Sequence, residues 1–373
     1  MRILYVFRSL AVMGGIERVM VEKMNLLASM YGYEIYVLTT DQNSHPVPYQ
    51  LSEEIYLEDL DIQIHHQYRY RSFKRLLVLN RLLCLFYHRL SEKLQTIQPN
   101  VIVCTTANYI DINLLAIIKG NIPMVVESHS ICCQTIRKKG IMGKFAELMY
   151  RRGLSKSQMI VALTENDASE WRKIHSCVKV IPNVVHLNKG ILSSLDQKRV
   201  MWVGRFDYQK RPMEMIEIWR MVYPQFPEWS LYFYGEGVLR QQLGSTARLL
   251  DMNIHICHST DRIFDFYRAS SILVSTSLFE PFGLVIPEAM SCGLPIVAYD
   301  CPYGPADIIS DGKNGYLIDY DNIDNYVNKL SLLMRNLDLR IKMGKDGYVS
   351  SKRYEVNQIM PLWRALFEQL IQK

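Results

Sequence analysis

The stretch Ile272-Leu273-Val274-Ser275-Thr276-Ser277-Leu278-Phe279-Glu280-Pro281-Phe282-Gly283-Leu284-Val285-Ile286-Pro287-Glu288-Ala289-Met290-Ser291 reads as a strand, a loop and a helix. Residues 272–275 form a short, β-rich run of the kind that is buried on both faces. Pro287 suits the first turn of a helix and not its interior, so the helix starts near Val285. A second apolar run, 295–299, follows as another strand. Strand, helix and strand in that order make the repeating unit of a parallel sheet covered by helices.

The same alternation extends through the chain. Strands are predicted at 2–7, 34–39, 62–66, 101–105, 124–128, 159–163 and 178–181, then at 199–203, 230–234, 254–257, 272–275, 295–299 and 315–318. Helices fill the gaps, among them 16–31, 213–222 and 284–291. A length of 373 residues is too great for one ordinary core and fits two domains. Residues 183–196 are polar and lack a sustained period. The predicted fold class is therefore α/β, with two Rossmann-like doubly wound domains facing across a cleft. They span 1–182 and 198–355, with a linker at 183–197 and a last helix at 356–373. In such folds ligands bind outside the carboxyl ends of the strands.

Composition narrows the function. The chain carries 43 Lys and Arg against 37 Asp and Glu, a net charge of +6. Residues 68–93 alone hold seven basic residues and one acidic residue, so the rest of the chain is close to neutral. A broad nucleic-acid-binding surface is thereby disfavoured. Residues 1–7 lack the long apolar core of a signal peptide and read as a first buried strand. No uncharged apolar run approaches the roughly 18 residues needed to span a bilayer. The eight cysteines, at 84, 104, 132, 133, 177, 257, 292 and 301, form no C-x-x-C pair. They read as reduced core residues of a cytoplasmic protein.

Three motifs carry chemistry. Met13-Gly14-Gly15-Ile16-Glu17-Arg18 opens a helix directly after the first strand, where main-chain N–H groups meet an anion or close a tight turn. It lacks the G-x-G-x-x-G dinucleotide pattern. Val203-Gly204-Arg205-Phe206-Asp207-Tyr208-Gln209-Lys210-Arg211-Pro212 places Arg205 and Lys210 at the carboxyl edge of a strand. Two cations there offset the charge developing on a departing diphosphate, although a solvated basic loop gives the same pattern. In the opening stretch, Glu280 lies in a loop and Glu288 in the first turn of the helix. Both carboxylates suit sugar or ribose hydroxyls, and the main-chain N–H groups of Phe282, Gly283 and Leu284 suit an anion. The bland alternative is that Glu288 caps its helix. Tyr234-Gly235-Glu236-Gly237 and Asp300-Cys301-Pro302-Tyr303-Gly304-Pro305-Ala306-Asp307 read as architecture, and His129 follows the strand at 124–128.

Together, Gly14-Gly15, His129, Arg205 with Lys210, the E-x7-E from Glu280 to Glu288 and the Asp311-Gly312-Lys313-Asn314-Gly315 turn resemble the retaining nucleotide-sugar glycosyltransferases of family 4, which have the GT-B fold. The resemblance covers nearly the whole chain, densest at 199–318 and thinnest at 42–99. It implies that the C-terminal domain binds a nucleotide diphosphate sugar. Arg205 and Lys210 would hold the diphosphate, Glu288 the ribose, and Glu280 with the backbone of Phe282–Leu284 the transferred sugar, with Gly235 beside the donor. Gly14 and Gly15 would approach the phosphates, and His129 would line the reaction centre. The catalytic set so implied is His129, Glu280, Arg205 and Lys210. Retention would proceed by front-face attack, without metal or cofactor. A UDP-sugar is the commonest donor in that resemblance, and a glycan or lipid-linked glycan is the implied acceptor. Ile286-Pro287 departs from the two aliphatic residues expected before Glu288. The last helix would cross back to the N-terminal domain.

Two other functions compete: a sugar-nucleotide epimerase of similar build, and a two-domain sugar-binding protein without catalysis. The E-x7-E pattern with Arg205 and Lys210 speaks against the first, and the missing signal peptide against the second. Slow hydrolysis of a nucleotide sugar separates an enzyme from a binder. Finally, residues 72–93 form an amphipathic helix, with Lys74, Arg75, Arg81, His88, Arg89 and Lys93 on one arc and Leu79, Leu83, Phe86 and Leu90 opposite. One reading is a domain helix with a solvated face. The other aims Arg69, Arg71, Lys74 and Arg75 at an anionic lipid surface on the inner face of the cytoplasmic membrane.

Overall fold

A computed structural model describes residues 1–12, 14–106, 109–132 and 140–372, without the side chains of 72, 141 and 142. Met13 of the glycine motif and Cys133 lie outside the described residues. The chain forms two compact units. Unit 1 contains residues 1–163, 168–181 and 360–373, and unit 2 contains 164–167 and 182–359.

The sheet of unit 1 is formed by β1 (Arg2–Phe7), β2 (Glu34–Thr39), β3 (Ile55–Asp59), β4 (Val101–Thr105), β5 (Met124–Glu127), β6 (Met159–Ala162) and β7 (Val178–Val180). Its spatial order is β3-β2-β1-β4-β5-β6-β7, with every pairing parallel. The sheet of unit 2 is formed by β8 (Arg199–Val203), β9 (Ser230–Tyr234), β10 (Ile254–Cys257), β11 (Ile272–Ser275), β12 (Ile296–Tyr299) and β13 (Gly315–Ile318). It runs β10-β9-β8-β11-β12-β13, again all parallel. Central strands are apolar throughout because helices cover both sheet faces. Ile3, Leu4 and Tyr5 are fully buried in one unit, and Ile272, Leu273 and Ile296 in the other.

Strand order reverses twice, between β1 and β4 and between β8 and β11. At such a switch the connections leave in opposite directions and open a crevice at the carboxyl ends of the strands. The loops after β8 and β11 contain Arg205, Lys210 and Glu280. The loop after β1 leads to Gly14, and His129 follows β5, the neighbour of β4.

Two expectations are corrected. Residues 62–66 are not a strand: the third strand is Ile55–Asp59, paired to β2, and a 3-10 helix spans Ile64–Arg69. Ile62 and Ile64 are both buried, so the alternating pattern is real. Asp61 before them and Gln63 between them have φ values of 47° and 53°, which prevents an extended backbone. The polar residues around 55–59 disguise a strand whose Tyr56 and Leu57 stay exposed at the sheet edge. The cysteines also divide: Cys104, Cys132, Cys292 and Cys301 are buried, but Cys84 and Cys177 are exposed. Cys84 lies in the helix Ser72–Ile97 and Cys177 in the turn before β7, outside both sheets.

Candidate active site

In unit 2 three loops meet at the switch between β8 and β11. Gly204 donates its N–H to the Tyr234 carbonyl at 3.1 Å, and Phe206 donates to the Glu236 carbonyl at 2.7 Å. A Cβ on Gly235 would lie 1.9 Å from the Gly204 oxygen, so the Tyr234–Gly237 turn packs backbone against backbone on the Arg205 loop. Gly235 therefore has a packing reason of its own. Its φ of 156° adds to the constraint. Gly235→Ala is expected to destabilise unit 2 by more than about 1 kcal/mol and to displace Arg205. Denaturant melts of the variant measure the first effect, and a raised KM for donor the second.

Arg205 leaves this loop toward solvent, its side chain 68% exposed. Asp207 and the Gln209 side-chain oxygen hold the guanidinium at 3.1 and 3.0 Å. Lys210 is turned inward. Its main-chain N–H bonds Asp207 at 3.0 Å, and its ammonium pairs with Glu280. Only 16% of the Lys210 side chain and 6% of the Glu280 side chain meet solvent. Lys210 thus supplies a basic partner for Glu280.

Glu280 is over-determined. Ser277 donates to the same carboxylate oxygen at 2.7 Å. The Glu280 N–H donates to the Pro302 carbonyl at 2.7 Å, while its carbonyl accepts from Tyr303 and Gly304 at 2.9 and 2.8 Å. Gln209 joins the two chemistry-bearing loops, donating to the Phe279 carbonyl at 3.1 Å and accepting from Leu278 at 2.7 Å. Burial, with Glu280 close by, pushes the Cys301 thiol up to about 12, so it stays protonated and unreactive at neutral pH.

The helix Val285–Ser291 starts where Pro287 requires. Glu288 sits in its first turn and is buried. The Tyr267 hydroxyl donates to it at 3.4 Å. Phe282 turns its ring into the core against Tyr354, centroids 5.3 Å apart and nearly perpendicular. The N–H groups of Phe282, Gly283 and Leu284 have no partner among the described residues.

In unit 1, Gly14 is the N-cap of the helix Gly15–Tyr31, and its carbonyl accepts from the Tyr49 hydroxyl at 2.9 Å. A Cβ on Gly14 would lie 2.4 Å from the Glu17 carboxylate. His129 follows β5 and is buried, with Nε2 3.0 Å from Glu127. Glu127 also pairs with Lys23, and both side chains are almost wholly buried. Burial alone raises the Glu127 carboxyl, but the Lys23 ammonium and the His129 ring outweigh it and hold it below the usual range. Lys23 is moved down, because burial exceeds the pull of Glu127. His129 lines a cavity of about 450 Å³ together with Arg8, Thr106, Asp111, Ser130 and Tyr150. Arg8 and Asp111 form an ion pair there at 3.2 Å. Burial raises the Asp111 carboxyl more than Arg8 lowers it.

Residues 187–350 match the family described as Glycosyl transferases group 1, and residues 13–189 match Glycosyltransferase Family 4. The chain belongs to this family of glycosyltransferases. An uncharacterized glycosyltransferase of Haemophilus influenzae is 26% identical over 360 residues, 95% of this chain and 96% of its own. The amylovoran biosynthesis glycosyltransferase AmsD of Erwinia amylovora is 28% identical over 250 residues, covering 64% of this chain and 70% of its own. A point variant of S. aureus TarM, in complex with fondaparinux, α-GlcNAc-glycerol and UDP, superposes with a TM-score of 0.78 at 16% identity. That superposition covers 98% of this chain and 99% of the other. The fold is accordingly GT-B.

The candidate site includes residues that the sequence does not single out. Ser277 lies inside the quoted motif, three residues before Glu280, but serine in a loop carries no signal. Tyr267 reaches Glu288 from a different helix, Ile263–Arg268, and only folding brings them together. Lys23 did leave a trace. It interrupts the buried stripe of Met20, Met24 and Leu27 on an amphipathic helix, and a charge on that face needs a partner. Among the described residues no helix is long and apolar enough to cross a membrane.

Proposed function

We propose that this glycosyltransferase moves a hexose or N-acetylhexosamine, with retention of configuration and without a metal, from a nucleotide diphosphate sugar to a glycan or lipid-linked glycan acceptor. The reading places the enzyme in surface polysaccharide or glycoconjugate synthesis and takes a UDP-sugar as the donor. The observation that carries it is the buried Lys210–Glu280 pair, fixed by Ser277 and by two loops at the strand-order switch. The relatives support the rest: one is named for amylovoran biosynthesis, and the TarM neighbour was solved with UDP.

In this reading Lys210 and Arg205 offset the charge that develops on the departing diphosphate. That stabilisation acts only as the bond breaks and therefore accelerates the step. The exposed Arg205 meets a ligand by exchanging its contacts with Asp207 and Gln209, whereas Lys210 is preorganised. Glu280 accepts hydroxyl hydrogens of the transferred sugar, assisted by the main-chain N–H groups of Phe282–Leu284, and Glu288 accepts those of the ribose. With no carboxylate assigned as nucleophile, the diphosphate itself helps to take the acceptor proton on the front face. Family membership leaves the epimerase and the non-catalytic binding protein unsupported.

A panel of nucleotide sugars tests the donor. The correct one, at 100 times its Kd, is expected to stabilise the protein by about 2.7 kcal/mol, read as a raised melting temperature. It should also be hydrolysed slowly without acceptor, in the presence of EDTA and with the α or β configuration kept. A panel in which no nucleotide diphosphate sugar raises the melting temperature refutes the donor assignment. Inverted product, or loss of activity in EDTA, refutes the corresponding part of the mechanism.

A further inference from the structure

We propose that residues 68–77, together with Arg81, form a docking face for an anionic lipid surface. The helix Ser72–Ile97 is held to unit 1 by its second half: Phe86, Leu90, Leu94 and Ile97 are buried in the core. Its first half is different. From 73 to 85 no described side chain is buried. Phe73, Leu76 and Leu77 are 69%, 62% and 54% exposed, and Tyr68, just upstream, is 68% exposed. The first turn and a half of helix, about 7 Å at 1.5 Å per residue, thus presents large apolar side chains to solvent, while Leu79, Leu82 and Leu85 pack partly buried against the core.

Charge identifies the occupant. No acidic residue lies between Asp61 and Glu92. The basic arc read from the sequence divides in two. Arg89 bonds the carbonyls of Leu60 and Asp61, and Lys93 pairs with Glu58 at 2.7 Å, so these two are internal braces. Arg69, Arg71, Lys74, Arg75 and Arg81 remain exposed beside the apolar residues. Arg75 lies over the Tyr68 ring at 4.6 Å, which ties the preceding turn to the helix. A second copy of the chain would set five like charges against five. A nucleic acid would take the cations but not the phenyl and leucyl groups. An anionic bilayer takes both, with guanidinium and ammonium groups at the phosphates and Phe73, Leu76 and Leu77 below them. Each basic residue near such a surface strengthens binding about fivefold, and tyrosines favour the same interfacial layer. The proposal does not rest on the identity of donor or acceptor.

The test uses the full chain and vesicles of phosphatidylcholine, with or without about one-third phosphatidylglycerol. Sedimentation with the anionic vesicles only, reversed by high salt, is expected. Two variants divide the face: Arg69→Gln with Arg71→Gln, Lys74→Gln and Arg75→Gln, and Phe73→Ser with Leu76→Ser and Leu77→Ser. Each should weaken anionic-vesicle binding at least tenfold while melting temperature and hydrolysis of donor stay unchanged, since the residues are exposed and lie in neither site. Failure to sediment with anionic vesicles, or equal sedimentation of both variants and the parent, overturns the proposal. So does a dimer in light scattering that the serine variant converts to monomer.

Discussion

Lys210→Ala and Glu280→Ala are each expected to lower kcat/KM about a hundredfold to a thousandfold, the loss seen when one preorganised charge stabiliser is removed from a site. The two side chains form a single device. Lys210 reaches Glu280 from the loop after β8, and Ser277 bonds the same carboxylate from the loop after β11. Alanine at 210 removes the cation and leaves a nearly buried carboxylate with the Ser277 hydroxyl. Alanine at 280 leaves the ammonium unopposed, 16% exposed and free to move off its position. Either variant therefore loses stability as well as rate, and the two effects need separating. Lys210→Met combined with Glu280→Gln removes the charges but keeps the volume, so it should melt closer to the parent than either alanine variant. It should nevertheless stay as slow as they are. Steady-state kinetics and denaturant melts on the same preparations decide the matter. Near-normal turnover in a folded Lys210→Ala or Glu280→Ala protein would remove both residues from the mechanism.

The second large effect concerns stability. Lys23→Met is expected to destabilise unit 1 by about 3–5 kcal/mol, because Glu127 is then a buried charge without its cation. Lys23 also lies 4.1 Å from the Trp363 ring centroid, so its loss loosens the C-terminal segment of unit 1 as well. Glu127→Gln in the same protein removes the stranded charge and should recover part of the loss.

The sign of the pH dependence follows. In the parent, the Glu127 carboxyl titrates below its ordinary value. Its stabilisation is complete above the unfolded value, about 4.3, and is lost as pH falls through the lower folded value. In Lys23→Met, burial dominates and raises the folded value. That variant regains stability as pH falls from neutrality toward about 4.3. The gap between parent and variant should therefore narrow on acidification, as read by urea melts at several pH values. A gap that is small at neutral pH, or that widens toward acid, would show that the pair is not the source.

Much of this was legible in residue order. A strand buried on both faces is written as a short, β-rich apolar run, and the central strands of both sheets carry that signal, whereas Lys179 and His255 interrupt it in β7 and β10 near the sheet edges. The exception, 62–66, shows its limit. Alternation of buried and exposed side chains also arises in a chain with left-handed residues, here Asp61 and Gln63, so burial pattern and strand pairing are separable. Pro287 marked the helix start, because proline is excluded from the interior by its missing N–H. Glu280, Lys210 and Arg205 were legible as charged residues at strand ends. Their pairing was not: whether a lysine faces solvent, a phosphate or a carboxylate 70 positions away leaves no mark in local order. The same holds for Cys84 and Cys177, whose type suits a core but whose places in the fold are exposed.

The sequence by itself determined a succession of strands and helices, and with it two parallel sheets, because hydrophobic periodicity and the constraints on proline are local properties of the chain. It also determined where the excess positive charge lies. Only the tertiary structure decided how charges are partnered. Ion pairs and hydrogen bonds depend on distances between segments remote in sequence. Folding joined Lys210 to Glu280, Lys23 to Glu127 and His129, and Arg89 to the Leu60 and Asp61 carbonyls. In the same way it left Arg69, Arg71, Lys74, Arg75 and Arg81 beside exposed Phe73, Leu76 and Leu77. One basic helix was thereby divided into a long part that anchors and a first turn and a half that faces outward.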